Sequence, residues 1–514
     1  MSRSAKPDLV LVNPGNRTRI YQSLGSNLSA VEPPIWTGLL ASFARNRGLD
    51  VRVIDANAEG LSPEQTAERV SEMDPVLTAV VVYGHNPSAS TQVMPSAGAI
   101  CTALKQLDPA SPVLMVGGHV AALPERTLRE EDCDYVSDGE GFHTIDALVR
   151  ALKDARRPAL DRVPGLWRRE GKELVHNASA PLLENLDEDV PGMPWDLLPM
   201  DIYRAHNWHC FDDLSRRTPY ASIYTTLGCP FHCSYCCIQA PFRTGEAALG
   251  RKANSYRLWS ADWVLNQIDI LVNRYGVKSV KFADELFVMN RAHVEGICDG
   301  IVERGYDLNI WAYARVDTVR DGMLEKLKAA GVNWLCYGIE SGSARVRDDV
   351  HKGYKQDLAY TTIQKTREAG IYVIGNYMFG LPEDDLQSMQ ETLDLATELN
   401  CEFANFYSAM AYPGSELYEQ AVRENWPLPA DWSGYSQHAA NCLPLPTRYL
   451  SGPDVLRFRD KAWQTYFTNP TYLDMVTRTF GPLTTEHIRE MAAHTLERLH
   501  GVPLQKASQG SDLA

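Results

Sequence analysis

The sequence predicts an α/β protein in three parts: a doubly wound parallel domain, a partial barrel of six β/α units, and a helical C-terminal region. Two stretches carry this prediction, residues 8–155 and 220–425, in which short apolar strands alternate with amphipathic helices. The third observation is a helical pattern without strands beyond residue 426. At 514 residues the chain exceeds one ordinary domain. The expected parts are 1–155, a connector over 156–217, the barrel over 218–425, and a cap or substrate-shaping region over 426–514.

In the first stretch a buried strand over 8–12 ends at the turn Asn13-Pro14-Gly15-Asn16. A helix over 36–47 stops at Gly48. A strand over 51–55 leads to a helix over 62–73, opened by the capping box Ser62-Pro63-Glu64-Gln65. Strands at 77–83, 113–116 and 135–136 then alternate with helices at 92–106, 127–131 and 144–153. Rossmann-like sheets of this kind bind ligands beyond the carboxyl ends of their strands. Those ends carry residues 84–91, Gly117-Gly118-His119 and Gly139-Glu140-Gly141.

The connector holds a hairpin over 165–175, turning at Glu170-Gly171-Lys172, and a Pro-, Asp- and Leu-rich run over 181–199. Barrel strands are expected at 221–225, 279–283, 309–312, 334–339, 372–379 and 403–410. Helices lie between them at 261–275, 291–304, 322–329, 357–369 and 385–399. Six such units do not close an eight-stranded barrel. After a proline-containing turn near 443–447, helices follow at 453–467, 470–479 and 486–500, and residues 505–514 read as a frayed polar tail. Trp426, Trp432, Tyr435, His438 and Tyr449 fit a cap over the site or plain core packing equally well.

Composition excludes several function classes. A net charge of −15 with no basic stripe argues against nucleic acid as a partner. No apolar run reaches the ~18 residues of a membrane span, and no signal-peptide core precedes the first strand. A reducing cytoplasm is the default location. Eleven cysteines, an odd number and mostly isolated, do not make a disulfide framework. Cys101, Cys133, Cys298, Cys336, Cys401 and Cys442 read as buried inert thiols.

One cluster departs from that pattern. The segment Thr226-Leu227-Gly228-Cys229-Pro230-Phe231-His232-Cys233-Ser234-Tyr235-Cys236-Cys237 has the spacing C-x₃-C-x₂-C directly after a strand. Thiolates are preferred iron–sulfur ligands, and a compact loop aims Cys229, Cys233 and Cys236 at three corners of a [4Fe-4S] cube, leaving the fourth iron open. A zinc site normally takes four protein ligands, and there is no second C-x₂-C pair. Bacterial ferredoxin spacing differs. Cys237 adjoins Cys236, and neighbouring cysteines seldom reach one site together.

This C-x₃-C-x-aromatic-C motif resembles the radical S-adenosylmethionine (SAM) superfamily. The resemblance implies that the open iron binds the amino and carboxylate groups of S-adenosylmethionine, and that an electron from the cluster breaks the C5′–S bond to give a 5′-deoxyadenosyl radical. It places Tyr235 beside the adenine. It places Glu285, in Phe282-Ala283-Asp284-Glu285, near the methionyl amine, and Arg315, in Trp311-Ala312-Tyr313-Ala314-Arg315-Val316-Asp317, near the methionyl carboxylate. Glu340 and Ser341, in Gly338-Ile339-Glu340-Ser341-Gly342-Ser343, fall near the ribose or methionine. Gly380-Leu381-Pro382-Glu383 and Tyr412-Pro413-Gly414-Ser415 follow the fifth and sixth strands. By residue type alone Glu285 and Glu340 are as readily solvated loop carboxylates; their place at successive strand ends favours a site.

Residues 8–155 resemble the cobalamin (B12)-binding domain that precedes the barrel in one branch of that superfamily. Gly117-Gly118-His119, Pro124-Glu125 and Gly139-Glu140-Gly141 are the matching pieces. Paired glycines let a backbone approach a large planar ligand, and Ser88, Ser90 and Thr91 can hydrogen-bond corrin amides or a nucleotide tail. The cobalt-ligating pattern Asp-x-His-x-x-Gly is absent; Asp349-Val350-His351-Lys352-Gly353 has the wrong spacing and lies in the barrel. Two readings stay open: cobalamin held without a histidine ligand, or a domain that keeps the fold and has lost the ligand. His85 and His119 read as hydrogen-bonding or packing residues rather than cobalt ligands.

The expected function is radical abstraction of hydrogen from an unactivated carbon of a small polar metabolite, for cobalamin-dependent C-methylation. An external electron donor such as flavodoxin or ferredoxin is implied. The alternative is cobalamin-independent dehydration, epimerisation or rearrangement of a sugar or aminocyclitol, with Tyr313, Asp317 or Tyr377 to manage a proton. Radical cyclisation with cobalamin as an electron shuttle is a third reading. A plain iron–sulfur electron carrier is disfavoured, because a carrier needs no barrel around an open iron.

Overall fold

A computed structural model describes residues 6–15, 22, 29–154, 159–250 and 255–500. The frayed tail expected over 505–514 lies outside the described residues. In the first domain the strands are β1 (Leu9–Asn13), β2 (Val51–Asp55), β3 (Leu77–Val81), β4 (Val113–Val116) and β5 (Tyr135–Ser137). They pair in parallel in the order β2-β1-β3-β4-β5. The strand order reverses between β1 and β3, and ligands on doubly wound sheets bind at such a reversal.

The strands are apolar on both faces because helices cover both. Leu9 and Leu11 face the helices Ile35–Asn46 and Phe142–Lys153. Val10 and Val12 face Pro63–Met73 and Met94–Leu107. Ser62 caps the helix Pro63–Met73 with the expected box, reciprocated by Gln65. The helix expected over 92–106 is instead a turn, Ala89–Gln92, followed by Met94–Leu107. Gly84 lets the preceding loop double back, since a Cβ there would sit 2.5 Å from that of Ala89.

The connector hairpin belongs to this first sheet. Its strands β6 (Leu166–Glu170) and β7 (Glu173–His176) extend the sheet antiparallel from β5. Further on, the connector dives into the barrel. The turn Trp208–Cys210 sends Trp208 against Trp311, Trp334 and Phe403, with ring centroids 5.1, 5.7 and 6.0 Å away. These rings fill the barrel at the end opposite its mouth.

The barrel strands are β8 (Tyr220–Ile223), β11 (Ser279–Phe282), β12 (Asn309–Ala314), β13 (Val332–Glu340), β14 (Tyr372–Phe379) and β15 (Phe403–Ser408), all parallel and in that order. Two short strands, β9 (Thr226–Leu227) and β10 (Arg257–Leu258), pair antiparallel at the mouth. Because β15 and β8 do not pair, both edges need cover. Helix Gly452–Phe467 lies along β15, where Arg459 Nε donates to the Phe406 carbonyl at 2.8 Å and Tyr466 donates to the Cys401 carbonyl at 2.6 Å. The amphipathic helix Glu416–Arg423, which the sequence reading leaves unassigned, closes over the mouth.

The last helix is Pro482–Ala493 rather than 486–500. Beyond it the chain leaves the helix because Arg498 reaches back, pairing with Asp460 at 2.9 Å and donating to the carbonyls of Gln437 and Ala439. Tertiary ion pairing wins over weak helix propensity there.

The first domain docks on the barrel mouth through buried polar contacts. Glu140 accepts two hydrogen bonds from Arg257 of β10, and both side chains are nearly inaccessible. Trp36 stacks on Tyr83 at 3.9 Å and meets Phe242 of the barrel at 6.2 Å. Replacing Glu140 by Ala strands the Arg257 charge, a loss of about 3–5 kcal/mol for a broken buried pair. Thermal denaturation of Glu140→Ala is therefore expected to show an earlier transition, and an unchanged melting curve would contradict this docking role.

Candidate functional site

The cysteine loop is held from below by one carboxylate. Asp284, wholly buried at the end of β11, accepts from the backbone N–H groups of Thr225 and Thr226, both at 2.6 Å, and from their hydroxyls at 2.8 and 3.2 Å. Gly228 then turns with φ 78°, where a Cβ would lie 2.4 Å from the Ser255 carbonyl oxygen. Gln239 Nε2 donates to the Cys229 carbonyl at 2.6 Å, and Ser255 donates to Gln239 Oε1 at 2.9 Å. The sequence reading passed over Asp284 in favour of its neighbour Glu285.

Cys229, Cys233 and Cys236 are partly exposed at this mouth, whereas Cys237 is buried. Burial pushes the Cys229 thiol up to about 11, so a metal binding there displaces protons. Among the described residues no three His, Cys, Asp or Glu side chains close into a cage for one ion. A cube asks for something different, since each thiolate bonds its own iron. The donor set, three soft thiols on one short loop with no fourth protein ligand, fits that group.

The strand ends gather the other mouth residues. Tyr235 lies among Val346, Val350, Leu381 and Ala409; burial first, then the Glu340 charge beside it, raises its phenol. Glu285 lines the cavity described below, and desolvation pushes it up to about 7 against the pull of Lys281. Arg315 is bidentate to Asp317, both bonds 2.9 Å, lies 4.1 Å over the Phe231 ring, and turns Nη1 toward the Cys233 sulfur at 3.9 Å. Glu340 occupies a bulge with φ 65° and pairs with Lys352 at 2.9 Å. A non-glycine residue in that conformation costs about 1–3 kcal/mol, which the surrounding contacts must hold in place. Ser341 does not line the cavity: it is buried, 3.2 Å from the Thr392 hydroxyl, and accepts from the Ser343 N–H.

A cavity of about 490 Å³ opens below these groups. Its walls come from the barrel interior, from the loop Asn86-Pro87-Ser88 of the first domain, and from the C-terminal Gln437, His438 and Trp463. A smaller pocket of about 70 Å³ adjoins it at the β1/β3 reversal, lined by Asn13, Pro14, Asn57, Gly84 and His85. Glu32, His85, Gln92 and His206 line both and form the partition between them.

The residues that sequence reasoning offered for a corrin divide between cavity walls and internal packing, with Ser90 and Gly118 on a small pocket between the first domain and the barrel. Ser88 lines the large cavity and bonds Asn86 at 2.8 Å. Ser90 is consumed internally, donating to the Val82 carbonyl and accepting from the His119 N–H at 2.8 Å. Thr91 Oγ1 lies 3.1 Å from His119 Nδ1, and the His119 ring packs edge-on against Trp432 at 4.4 Å. Burial pushes His119 down to about 3. A Cβ on Gly117 would lie 2.0 Å from the Val82 carbonyl oxygen, so this glycine admits a neighbouring strand. Gly118 touches Ser90, Gly139 faces Thr244 of the barrel, and Gly141 makes room for Val116. Glu140 is the docking partner of Arg257.

Of the C-terminal aromatics, Trp432 is pressed between His119 and Arg126, whose guanidinium lies 4.4 Å above its ring. His438 faces the cavity, whereas Tyr449 is exposed. Tyr313 lines the cavity, Asp317 is held by Arg315, and Tyr377 is buried with its hydroxyl 3.8 Å from the Cys401 sulfur. Lys281, Glu32, Asn376 and Asn405 also line the cavity and were missed. The signal was present: Lys281, Asn376 and Asn405 are polar residues inside otherwise apolar strands, at positions whose period of two points inward.

With this geometry described, comparison with known proteins agrees on both halves. The radical SAM superfamily model matches residues 223–396, and the B12 binding domain model matches residues 22–149. The chain carries a radical SAM domain preceded by a B12-binding domain. It is 28% identical over 466 residues to an uncharacterized methyltransferase of Pyrococcus horikoshii, covering 90% of this chain and 93% of the relative. It is 26% identical to the anaerobic magnesium-protoporphyrin IX monomethyl ester cyclase of Cereibacter sphaeroides, over 80% of this chain and 63% of the cyclase. Among solved structures, the radical S-adenosylmethionine methyltransferase TsrM of Kitasatospora setae, with cobalamin and a [4Fe-4S] cluster bound, superposes with TM-score 0.64 at 17% identity, over 94% of this chain and 99% of TsrM. The cobalamin-dependent S-adenosylmethionine radical enzyme OxsB gives 0.67 at 17% identity, over 95% and 72%. At that identity these two structures speak to the fold.

Asp284→Ala leaves two backbone N–H groups without their acceptor, at about 1–3 kcal/mol each. The variant is expected to take up less iron per chain during anaerobic reconstitution and to melt earlier; full iron content would remove Asp284 from the loop's support.

Proposed function

We propose that this chain is a cobalamin-dependent radical SAM methyltransferase acting on an unactivated carbon of a small molecule. The carrying observation is convergence: the cysteine loop reaches the large cavity through Cys236, and the β1/β3 reversal of the B12-type sheet opens on the small pocket that shares a wall with it. The chemistry the bound groups supply is one-electron cleavage of S-adenosylmethionine at the cluster and a transferable methyl group at the corrin.

The chain's own residues do the rest. Cys229, Cys233 and Cys236 hold the cluster and leave one iron for an outside ligand. Glu285, at the mouth, suits the methionyl ammonium. Arg315 keeps Asp317 on two of its N–H groups and turns Nη1 toward the Cys233 sulfur, beside the place the methionyl carboxylate would take. Glu340, fixed by Lys352, can accept from ribose hydroxyls, and Tyr235 offers a flat face to the adenine. For the corrin, the pocket of about 70 Å³ at the reversal does not by itself hold a macrocycle, and the adjoining cavity of about 490 Å³, walled by Asn86-Pro87-Ser88 of the first domain, would be its seat. Gly117, Glu140 and Gly141 are engaged with the protein itself. The barrel walls and Trp208 exclude water from the reacting carbon. An external donor such as flavodoxin or ferredoxin supplies the electron. Among the described residues no helix is long and apolar enough to cross a membrane.

Similarity to a cyclase favours a second reading, radical ring formation without net methyl transfer. Label in the methyl group of S-adenosylmethionine separates the two, since only methylation carries it into product. Anaerobic reconstitution with iron, sulfide, S-adenosylmethionine and dithionite is expected to yield 5′-deoxyadenosine, and Cys233→Ala to abolish it. Corrin absorbance is expected to survive desalting after loading with hydroxocobalamin. A protein without 5′-deoxyadenosine formation is not a radical enzyme, and one that sheds the corrin is not a cobalamin-dependent methyltransferase.

Glu285 gives a pH test. A carboxyl raised to about 7 gains its charge as pH rises through that value, and only the charged form attracts an ammonium. Affinity for S-adenosylmethionine is therefore expected to increase between about pH 6 and about pH 8. Glu285→Gln should bind more weakly with a flatter profile, and a wild-type affinity that falls over this range would exclude the role.

A further inference from the structure

Halfway down the barrel, one side chain from each strand forms a polar belt: Ser222, Lys281, Tyr313, Cys336, Asn376 and Asn405. Five of the six line the large cavity. Asn405 Nδ2 donates to Asn376 Oδ1 at 2.9 Å, and Asn376 Nδ2 donates to the Cys336 sulfur at 3.2 Å. The Lys281 ammonium lies 4.9 and 5.8 Å from the ring centres of Trp311 and Tyr313. A residue from the other domain reaches the belt where β8 and β11 pair. Glu32 accepts from the Lys281 ammonium at 2.9 Å and from the Ser222 hydroxyl at 3.2 Å.

The belt carries no uncompensated charge. Lys281 is neutralised by Glu32, and both are almost fully buried. Arg459, on the cavity wall beyond the belt, is turned to the Phe406 carbonyl and to Asp460, which it shares with Arg498. Above the belt, Glu340 pairs with Lys352. What the belt and its neighbour on β15 offer a ligand is uncharged: the amides of Asn376 and Asn405, the Tyr313 hydroxyl, and the Ser408 hydroxyl, which is buried without a partner. The surfaces between them are the flat rings of Trp208, Trp311 and Phe403.

We infer that the belt is the substrate's anchoring floor, and that it selects a planar body whose deep end is an uncharged oxygen or nitrogen function, such as an amide or hydroxyl. This deepens the reading of the cavity as the substrate site and rests on it. A carboxylate or phosphate at that depth loses its water and finds the one nearby ammonium already claimed by Glu32. A neutral amide matches the Asn pair donor to acceptor. Glu32 thus sets specificity without touching the reacting carbon.

The test uses two near-isosteric probes that differ in charge, indole-3-carboxamide and indole-3-carboxylate, titrated calorimetrically into the full-length reconstituted protein near neutral pH. The carboxamide is expected to bind about tenfold tighter or better. Glu32→Gln frees the Lys281 charge and is expected to reverse the order. Equal or tighter binding of the carboxylate by the wild-type protein overturns the inference, as does an order unchanged in Glu32→Gln or the failure of both probes to bind. The wild-type comparison decides by itself should the variant not fold. 5′-Deoxyadenosine formation is measured on the same preparation. Its presence without discrimination between probes sinks this inference alone, and its absence alongside discrimination sinks the catalytic reading alone.

Discussion

A parallel sheet of six strands rolled partway into a barrel is buried on both faces yet ends in two unpaired edges, and the rest of the molecule is arranged around closing it. The end opposite the mouth is closed by the connector, whose Trp208 and Phe211 complete an aromatic layer with Trp334 and Phe403. The β15 edge is closed by the C-terminal helix bearing Arg459 and Tyr466. The mouth is closed by the B12-type domain. Each element of the chain outside the barrel therefore has a wall to supply, and the space left between the walls is the cavity.

Seating Glu32 of the first domain on β8 and β11 with charge instead of hydrocarbon is the informative choice. A buried Lys281–Glu32 pair is seldom more stable than apolar residues of the same volume, because desolvation offsets the attraction. Charge compensation in the belt has a consequence for recognition, and two domains must be docked to achieve it, since Glu32 and Lys281 come from different ones. The Glu140–Arg257 pair at the other side of the junction holds the same docking. Specificity and domain arrangement are thereby linked through two ion pairs.

The cysteine loop was legible because it is local: its spacing, the glycine before it and the strand leading into it all lie within a dozen residues. Strand and helix order was legible for the same reason, through periodicity and caps such as Ser62 with Gln65. Among the glycines at the ends of β4 and β5, Gly117 and Gly141 are hemmed in by the protein's own atoms. A glycine that admits a ligand and one that admits Val82 or Val116 leave the same trace in a sequence. Ser90 and Thr91 look free in the sequence and are occupied in the fold by Val82 and His119. Asn376 and Asn405 were passed over because each stands alone in its strand. They become a pair only through the register that sets Asn376 opposite Asn405.

The sequence by itself determined the class of chemistry, through three thiols spaced so that a loop presents them together, and the two alternations of strand and helix that carry it. Tertiary structure decided which polar residues face the cavity, which are spent on holding the protein together, and how much space is left where the first domain meets the barrel mouth. The reason is range. Ligand spacing and periodicity are set by bonds and turns a few residues long, whereas the pairing of Glu32 with Lys281, or of Glu140 with Arg257, joins positions far apart in the chain and exists only once the domains have met.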